Sequence, residues 1–585
     1  MIVTSQGLTE VLEYLDKQEE LGVDSETTGL NYKDRLFSIQ FSTQDRDFYL
    51  DKRILGDSFY KVRGLFARPR TWYFQNAKFD LRMLHWESMH PKGTISDLEV
   101  LARLDRNDIS STRLADTAKR EGYEKLKIVD DYIDTHKLKT KRTGKYGTEF
   151  LYKHFDRVPV DIMGKYACHD TRITFDSSKN ILARLDPMSL PVYKNECALT
   201  PICLEMEMRG ALLDTAYTEK MFDYESGLIR EAQSEFLLTT GKLYDTSKKA
   251  LIEIFEKAGE IVPRTAKGNP SLTDEILESF TSPAARILQR IRHYEKRLST
   301  YYSSFLDLAV DGVIHPDMRQ AGTKTGRFSY RDPNLQNIPK EDEAEDLIRP
   351  NLIRRCFVPP PNCYIVSADF KAQEYRLMLA YARQQDLIDR VMAGMDLHEA
   401  TAQLVGISRK QAKTLNFAIL YGAGDDKLAM MLGITIQEAR MLRQRYFMAL
   451  PMVQHFINEV KRKVISRGFV YNWLGRKLHL PGNLPSQAYA VPNHIIQGGG
   501  ADICKKAMVD VYPEIKGTGI QMFMQVHDSI NFYVPEDQLD KLSKIKEVME
   551  NVFPTKNGMR MEVDIQISKK SMAEADMMKG MPNAG

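Results

Sequence analysis

The chain has 585 residues, of which 43% are hydrophobic and 28% charged, and these proportions exclude a disordered, collagen-like or disulfide-scaffold protein. Its 82 basic and 79 acidic residues leave a net charge of +3, so a nucleic-acid partner has to be argued from particular residues. The length predicts three or four packing units rather than one.

The cysteine content and the N-terminus bear on the compartment. Six cysteines without a Cys-x-x-Cys pair predict neither a disulfide framework nor a spaced zinc site and indicate a reducing environment. The first ten residues lack the features of a signal peptide, and no segment approaches the ~18 uninterrupted apolar residues of a membrane span. We therefore expect a soluble, cytoplasmic protein without a membrane partner.

The first ~185 residues alternate strand-like and helix-like runs, which predicts a mixed α/β sheet flanked by helices. LFSIQFST, RDFYL and TWYFQ are predicted strands, and DLEVLARLD is a predicted helix with Asp97 as its N-cap. The stretch HKLKTKRTGKYG, residues 136–147, is basic and almost without apolar residues. It predicts a mobile surface loop, with phosphate contact as the less favoured alternative.

Acidic residues recur in this N-terminal part. Asp24 and Glu26 lie two apart on a predicted strand and so share a face, Asp80 ends the segment NAKFD, and Tyr166 and Asp170 lie four apart on a predicted helix. Gathered carboxylates repel one another unless divalent cations bridge them, and two such ions can cleave a phosphodiester. An Asp-x-Glu pair taken alone is more often two solvated acids at a sheet edge.

From about 190 to 310 the chain is helical and charged, and ARILQRIRHYEKRLSTYYSSFLDLA is predicted as one long helix or two abutting ones. Beyond it, TGRFSYRDPNLQNIP is a donor-rich segment that predicts a fixed loop rather than a core element. CYIVSAD predicts a strand ending in Asp369, and VHDS places Asp528 at the tip of a hairpin. Two carboxylates at strand ends can bind a metal pair that activates a 3′-hydroxyl and neutralises a triphosphate.

A helix predicted between these two acids carries a stripe of cations and aromatic rings. In SRKQAKTLNFAILYG the residues Arg409, Lys413, Phe417 and Tyr421 recur every four positions, whereas Ala412, Leu415 and Ile419 face another side. The cations could meet phosphate oxygens, and the rings a sugar and base. An ordinary amphipathic helix with a basic edge explains the helix equally well when it is taken alone.

In order and spacing, VDSETTGL, NAKFD and YACHD resemble the three motifs of the DEDD family of 3′→5′ exonucleases, in the subclass with a tyrosine in the last motif. The resemblance implies that Asp24, Glu26, Asp80 and Asp170 hold two Mg²⁺ ions and that Tyr166 orients the attacking water.

The later segments TGRFSYRDPNLQNIP, DFKAQEYRLMLA, DLHEATA, RKQAKTLNFAILYG, NHIIQGGGADICKKAM and VHDS closely resemble family A DNA polymerases of the Klenow-like and phage replicative group. The implied fold class is α/β and α+β multidomain. A ribonuclease-H-like exonuclease domain at 1–185 would precede a right-hand polymerase at 186–585. Its thumb would span about 215–310, its palm about 311–395 and 495–585, and its fingers about 396–494.

The same resemblance implies roles for individual side chains. Asp369 and Asp528 would be the catalytic ligands of two further Mg²⁺ ions. The incoming dNTP would meet Arg409, Lys413, Phe417, Tyr421, Glu374 and His398, with Glu374 and Tyr421 excluding a ribose 2′-hydroxyl. The primer–template would meet Arg327, Asn337, Gln497, Asn493 and His527. A helix with Arg292, Lys296 and Arg297 resembles a thumb that grips duplex backbone, although a solvated face explains it equally well.

Departures from the family pattern also carry expectations. Lys371, Ala372 and Gln373 interrupt the usual DYSQIELR, Ser529 replaces a glutamate, and Tyr489 replaces an arginine. The 215–310 stretch is too short for the insertion that captures thioredoxin in some phage relatives, so thioredoxin is not expected as a partner. Acids beginning at residue 24 leave no room for a 5′-nuclease domain, which favours phage-type genome replication in a host cytoplasm or nucleoid.

The sequence thus predicts a DNA-templated DNA polymerase with a proofreading 3′→5′ exonuclease on the same chain. Its expected partners are primer–template DNA and dNTPs, with a helicase–primase or single-strand-binding protein as candidate replication partners. Two alternatives remain open at this point. One is a DNA-binding subunit that keeps the scaffold without its chemistry, and the other is an exonuclease whose C-terminal half only holds the substrate.

Overall fold

The structure is a computed structural model, and it describes residues 1–265, 268–339, 353–554, 557–573 and 576–577. Within these ranges no helix combines the length and the apolar character needed to cross a membrane. All six cysteines are free thiols, as the sequence predicts.

The N-terminal part is built around a five-stranded sheet. Its elements are α1 (Leu8–Asp16), β1 (Glu20–Thr27), β2 (Leu36–Ser42), β3 (Asp47–Asp51), α2 (Lys52–Leu55), β4 (Arg70–Phe74), α3 (Ala77–Trp86), β5 (Gly93–Asp97), α4 (Leu98–Asp105), α5 (Leu114–Arg120), α6 (Ile128–Thr135), β6 (Lys139–Thr143), β7 (Glu149–Lys153) and α7 (Val160–Arg184). The sheet has the order β3-β2-β1-β4-β5. Strand β1 pairs antiparallel with β2 and parallel with β4, so the predicted mixed sheet is confirmed.

The predicted cap of α4 is also confirmed, and it serves a second helix. The Asp97 carboxylate accepts a hydrogen bond from the backbone N–H of Glu99 at 2.9 Å. It also accepts from the N–H groups of Asn76 and Ala77, at 3.0 and 2.8 Å, where α3 begins. One buried carboxylate therefore satisfies N–H donors at the starts of two helices.

The predicted mobile loop at 136–147 is wrong, because its residues Lys139–Thr143 form one arm of a β-hairpin and the residues after them form its turn. Strand β6 pairs antiparallel with β7, from Lys139 opposite Lys153 to Thr143 opposite Glu149. Residues with a high β propensity, such as Phe150 and Tyr152 in the second arm, favour a strand. Pairing of the two arms then gives their backbone N–H and C=O groups hydrogen-bond partners without a separate apolar core. We call residues 137–153 the basic hairpin.

The middle of the chain is a helical arm that rises from a long connecting helix. Its elements are α8 (Leu190–Arg209), β8 (Ala211–Leu212), α9 (Thr215–Thr240), α10 (Lys248–Lys257), α11 (Asp274–Ser279), α12 (Pro283–Arg297), a π-helical turn at Leu298–Ser303 and α13 (Ser304–Leu308). The predicted long helix is confirmed as α12, the π turn and α13 in succession. Helices α9 and α12 enclose an apolar core that includes Phe236 and Ile291.

One residue of the predicted basic face on α12 is buried instead. Arg297 is 7% exposed and pairs with Glu225 of α9 at 2.6 Å, so it is not available to a phosphate. It extends the buried stripe that contains Ile291 and Tyr294, because residues three apart share a helix face. Its neighbour Lys296 is exposed.

The C-terminal part contains a second sheet and a helical block. Its elements are β9 (Val313–Ile314), β10 (Asp317–Arg319), β11 (Ser329–Arg331), β12 (Cys363–Phe370), α14 (Gln373–Ala382), α15 (Gln385–Met392), α16 (Leu397–Val405), α17 (Arg409–Leu420), α18 (Asp425–Leu432), α19 (Ile436–Ala449), α20 (Pro451–Arg467), β13 (Phe469–Tyr471), β14 (Lys477–His479), α21 (Val491–Ile515), β15 (Gln521–Val526), β16 (Ser529–Pro535), α22 (Leu542–Glu550), β17 (Val563–Ser568) and β18 (Asp576–Met577). The sheet has the order β15-β16-β12-β17-β18 and is antiparallel throughout.

The donor-rich segment before this sheet is only in part the loop that the sequence predicts. Ser329–Arg331 forms β11 and pairs with β10, and Phe328, Tyr330 and Leu335 are buried in the core of the sheet. Phe328, just before β11, and Tyr330 within it lie two apart in extended chain and so face the same side. Helices α14–α20 have a separate apolar core, which includes Leu415 and Tyr446.

Polar contacts join the N-terminal part to the rest of the chain. Arg319 of β10 donates to both carboxylate oxygens of Glu99 at 2.9 Å. The Asn107 side-chain oxygen accepts from the backbone N–H of His479 at 2.8 Å and lies 3.0 Å from its Nδ1. These contacts fix α4 and the segment after it against β10 and β14.

The His479 contact makes this junction sensitive to acid. Burial lowers the pKa of His479 to about 4, with Arg106 and Lys477 acting in the same direction and Asp108 and Asp105 acting against it. An unfolded histidine titrates near ~6.5, so the stabilisation from the neutral ring is complete above that pH and is lost as the pH falls toward 4.

We expect the wild type to lose about 2 kcal/mol of unfolding free energy between pH 7 and pH 5 relative to His479→Gln, which keeps a donor but does not titrate. Urea unfolding of both proteins at the two pH values measures the difference. A gap between the two proteins that does not change with pH would contradict this expectation.

Candidate active sites

Two sets of acidic side chains lie beside two different sheets, and the first set adjoins the N-terminal sheet. On β1 the half-buried Asp24 and Glu26 alternate with fully buried residues, so they leave the same face. Asp80 on α3 is 2% exposed and accepts from the backbone N–H and the hydroxyl of Ser25, at 2.9 and 2.6 Å. Asp170 on α7 is also buried, and the four predicted carboxylates therefore converge beside β1.

Burial and mutual repulsion make these carboxylates weak acids. Burial, followed by the charge of Asp170, raises the pKa of Asp24 to about 7. Burial and then the charge of Asp24 raise the pKa of Glu26 well above its ordinary value. The pKa of Asp80 is raised in the same way. The folded site therefore ionises only with difficulty near neutral pH, and a bound cation would favour its ionised form.

One lysine that sequence reasoning missed lies in this site. Lys125 Nζ forms an ion pair with Asp170 Oδ2 at 2.7 Å and lies 5.2 Å from the centre of the Tyr166 ring. Burial acts to lower the pKa of Lys125, but the Asp170 carboxylate raises it above its ordinary value. Burial, followed by the charge of Asp170 one turn away on α7, raises the pKa of Tyr166, so the predicted tyrosine does lie near the acids.

The composition of this site fits a divalent cation. Asp170 Oδ1 is buried and has no hydrogen-bond partner, and the four carboxylates offer only hard oxygen ligands, which Mg²⁺ prefers. Among the described residues no three His, Cys, Asp or Glu side chains form a group that could hold a metal ion as they stand. Metal binding would therefore replace contacts such as Lys125–Asp170 and Ser25–Asp80.

The second set lies at one end of the C-terminal sheet. Asp369 is the penultimate residue of β12, directly opposite Ser529 of β16, and Asp528 immediately precedes Ser529. The backbone N–H of Phe370 donates to the carbonyl of Asp528 at 3.1 Å. Strand register therefore brings together the two acids that lie 159 positions apart in the sequence.

Neighbouring groups hold the turn at His527 and Asp528 and lie close to both acids. Gln336 accepts from the backbone N–H of His527 at 2.8 Å, and His527 adopts a left-handed φ of 54° and is exposed. Burial raises the pKa of the Cys504 thiol to about 12, and the charges of Asp528 and Asp369 add to this effect. Both carboxylates thus lie within electrostatic reach of one buried sulfur on α21.

Glu374 lies on α14, which follows β12, and links two other predicted residues. Its carboxylate forms an ion pair with Arg327 and accepts from the Tyr421 hydroxyl at 3.1 Å. The predicted partnership of Glu374 with Tyr421 is therefore present in the structure. Arg327, which the sequence assigns to DNA, is engaged with Glu374.

The predicted stripe on α17 is exposed along its whole length, with Arg409, Lys413, Phe417 and Tyr421 facing away from the core. The rings of Phe417 and Tyr421 stack at a centroid separation of 6.2 Å and an angle of 9°. Ala412, Leu415 and Ile419 are buried, as predicted. A cationic and aromatic surface therefore leads toward Glu374.

Two further contacts order the start of this stripe. Arg409 donates to both carboxylate oxygens of Asp396 at 2.9 and 3.0 Å. His398 lies 6.0 Å from Phe417 between ring centroids, and its Nδ1 lies 3.0 Å from the Asn416 amide. Burial lowers the pKa of His398, which favours its neutral form.

The remaining predicted DNA contacts lie around α21 and the donor-rich segment. Asn493 and Gln497 lie four apart on α21, so they share a face. Asn493 and Tyr489 line a cavity of about 140 Å³ near the C-terminal end of α17. The Oδ1 atom of Asn493 is buried and has no hydrogen-bond partner. Asn337 is exposed, and its carbonyl accepts from the Tyr301 hydroxyl at 2.6 Å.

Both halves of the chain match sequence models of known protein families. Residues 1–186 match a 3′-5′ exonuclease family, and residues 215–573 match DNA polymerase family A. The second match alone covers more than half of the chain.

Curated relatives and a solved structure agree with these matches. The chain is 30% identical to DNA polymerase I of Geobacillus stearothermophilus over 561 residues, covering 88% of this chain and 62% of the relative. It is 27% identical to DNA polymerase I of Borreliella burgdorferi over 592 residues, covering 95% and 63%. The thermostable DNA polymerase I of Thermus filiformis is 31% identical over 415 residues, covering 66% and 49%. The chain therefore spans only about half to two thirds of these relatives.

One solved structure with a similar fold is the POL domain of Pol1 from M. smegmatis in complex with DNA primer-template and dNTP. The two share a TM-score of 0.81 and 24% identity, with 98% of this chain and 99% of the neighbour covered. The likeness confirms the fold class predicted from the sequence.

Proposed function

The chain belongs to DNA polymerase family A, and on that premise we propose that it is a DNA-templated DNA polymerase with a 3′→5′ proofreading exonuclease. The observation that carries the proposal is the register of β12 and β16, which places Asp369 and Asp528 side by side at the end of a rigid sheet. The exposed stripe of α17 and the Glu374–Tyr421 contact supply groups for a nucleotide beside them.

For synthesis, we assign Asp369 and Asp528 to two Mg²⁺ ions, which would lower the pKa of the primer 3′-hydroxyl and neutralise the triphosphate. Arg409 and Lys413 would bind the phosphates of the incoming dNTP, with His398 beside them. Phe417 would pack against the nucleotide. These assignments follow the exposure and order of the side chains along α17 and α16.

For the template and primer, we assign contacts to Arg327, Asn337, Asn493, Gln497 and His527. The orphaned Oδ1 of Asn493 at a cavity beside Tyr489 supports a template contact there. Because Arg327 is paired with Glu374, its assigned contact with DNA would require this ion pair to open or to share a donor.

For trimming, we assign Asp24, Glu26, Asp80 and Asp170 to a second pair of Mg²⁺ ions. Such a pair polarises an attacking water and holds the leaving oxygen of a phosphodiester. Tyr166 would orient the water from α7. The raised pKa values of the acids support this assignment, because bridging cations remove the repulsion that weakens them.

The domain limits are part of the same proposal. We place the exonuclease domain at 1–185 and the polymerase at 186–585, with the thumb at about 215–310, the fingers at about 396–494 and the palm in the two flanking stretches. The separate apolar core of the helical arm supports the thumb. The core that α16–α20 share supports the fingers, and α14 and α15 of the proposed palm pack into the same core. Phage-type replication, its replication partners and the lack of a thioredoxin partner stay predictions.

The direct test is primer extension on a primed template with four dNTPs, in Mg²⁺ and in EDTA. We expect full-length product in Mg²⁺ only. The alternative of a scaffold without chemistry is less well supported, because all six carboxylates are present and grouped. Absence of any lengthening by folded protein would favour that alternative.

The Glu374–Tyr421 contact predicts how the enzyme selects the sugar. Glu374→Ala should remove the carboxylate that fixes the Tyr421 hydroxyl at 3.1 Å and open space for a 2′-hydroxyl. We expect the preference for dNTPs over rNTPs to fall by about 100-fold, equivalent to about 2.7 kcal/mol. Competing kcat/KM values for matched dNTP and rNTP measure it. The control is Glu514→Ala, which removes an exposed carboxylate at the far end of α21 and should not change selectivity. Unchanged selectivity in Glu374→Ala would contradict the assignment.

A further inference from the structure

The basic hairpin concentrates charge that the rest of the chain lacks. Its 17 residues contain six cations (Lys137, Lys139, Lys141, Arg142, Lys145 and Lys153) against the single carboxylate of Glu149, a net charge of +5. The whole chain carries only +3. A charge density of this kind has to be neutralised by a partner or by solvent ions.

The base of the hairpin adjoins the first set of acids. Leu138, which precedes β6, packs against the apolar cluster that contains Ile133 and Tyr166. The backbone N–H of His154, just after β7, donates to the carbonyl of Leu138 at 3.0 Å. The hairpin therefore starts beside the tyrosine assigned to trimming.

The tip of the hairpin reaches the helical arm. The backbone N–H groups of Tyr146 and Thr148 donate to the two carboxylate oxygens of Asp307 on α13, at 2.9 and 2.8 Å. A Cβ on Gly144 would lie within 2.6 Å of that carboxylate, so the tip fits it only with glycine there. The Tyr146 ring also packs edge-on against Phe222 of α9. The hairpin thus bridges the space between the proposed exonuclease and the base of the proposed thumb.

Not all of its cations are engaged within the protein. Lys153 pairs with Asp130 at 2.8 Å, and Lys139 pairs with Asp134. Lys141 and Arg142 are exposed, and neither forms an ion pair within the described ranges. The guanidinium of Arg142 lies 5.1 Å from the centre of the Tyr152 ring, so the hairpin presents a cation and an aromatic ring together.

Resting on the proposed function, we propose that the basic hairpin is a binding site for single-stranded DNA, which holds the unpaired 3′ end of the primer strand between the two active sites. Lys141 and Arg142 neutralise phosphates, and Tyr152 offers a ring to a base. Cations interleaved with aromatic rings are the usual means of binding single strands without sequence preference. Paired ends, which do not leave the polymerase site, have no need of this surface.

The test compares Lys141→Ala/Arg142→Ala with a control, Lys17→Ala/Lys61→Ala, which removes two exposed cations of the same N-terminal part. Fluorescence anisotropy in EDTA measures binding of a primer–template whose primer ends in a short unpaired 3′ tail, and of its fully paired counterpart. Because EDTA prevents catalysis, this measurement of binding does not depend on the proposed activities. A parallel assay of the wild type in Mg²⁺ measures primer extension and 3′ trimming separately.

We expect the hairpin variant to bind the tailed DNA about tenfold more weakly. The slope of the logarithm of the binding constant against the logarithm of the salt concentration should fall in magnitude by about 1.4, because two phosphate contacts are lost and each contributes about 0.7. The control and the paired DNA should be unaffected. Equal losses on both DNAs, or a hairpin variant indistinguishable from the control, would overturn the proposal. An unchanged melting temperature shows that the variant is folded.

Discussion

Replacing Asp528 with alanine is expected to reduce primer extension at least about 1,000-fold, a loss of about 4 kcal/mol of transition-state stabilisation. The turn between β15 and β16 places this carboxylate next to the end of β12, where Asp369 lies. Without it, Asp369 alone would have to hold the cations that neutralise the triphosphate. Single-turnover extension with saturating dNTPs measures the loss, and 3′ trimming by the same protein should be retained.

The control for this variant is Asp537→Ala, which removes an exposed carboxylate beyond the far end of β16. It should extend primers like the wild type. Full-length product from Asp528→Ala at a wild-type rate would show that synthesis does not use this acid, and the residue assignment would be wrong.

The second large effect is expected from Asp24→Ala combined with Glu26→Ala. These two side chains leave one face of β1 beside Asp80 and Asp170, and their removal deletes half of the proposed cation ligands. We expect 3′ trimming of single-stranded DNA to fall at least about 1,000-fold. Primer extension, which we assign to the acids of the other sheet, should continue.

We expect the loss of trimming in this double variant to occur without loss of stability. The pKa values of Asp24 and Glu26 are raised in the folded protein, mainly by burial, so ionising either group is less favourable in the folded protein than in the unfolded chain. In EDTA the double variant should therefore be at least as stable as the wild type toward urea. Undiminished trimming, or a clear loss of stability in EDTA, would contradict this account of the site.

Much of the chemistry could be predicted from the sequence because it depends on residue type and local spacing. Asp24 and Glu26 share a face since a strand alternates, and Asp369 and Asp528 could be placed at strand ends from the apolar runs around them. The exposure of the α17 stripe follows from the helical repeat. Their assembly into two separate sites depended on the family resemblance, which the comparisons confirm.

Long-range contacts could not be predicted in the same way. Lys125 lies in an irregular segment between α5 and α6, and nothing in its local sequence distinguishes it from Lys127. Lys296 and Arg297 are neighbours on α12, yet one faces solvent and the other Glu225, because a helix turns ~100° per residue. The sequence of the basic stretch does not distinguish a hairpin from a loop, because strand β7, with which it pairs, and Asp307, which binds its tip, both lie beyond it.

The central claim is that one chain carries two separate carboxylate sites, one that lengthens a primer and one that shortens it. The most direct test follows an end-labelled primer on its template in Mg²⁺, with and without dNTPs, for the wild type, Asp528→Ala and the Asp24→Ala/Glu26→Ala double variant. We predict that the wild type does both, that the first variant only shortens, and that the double variant only lengthens. Loss of both activities in either variant, with the protein still folded, would contradict the separation of the two sites.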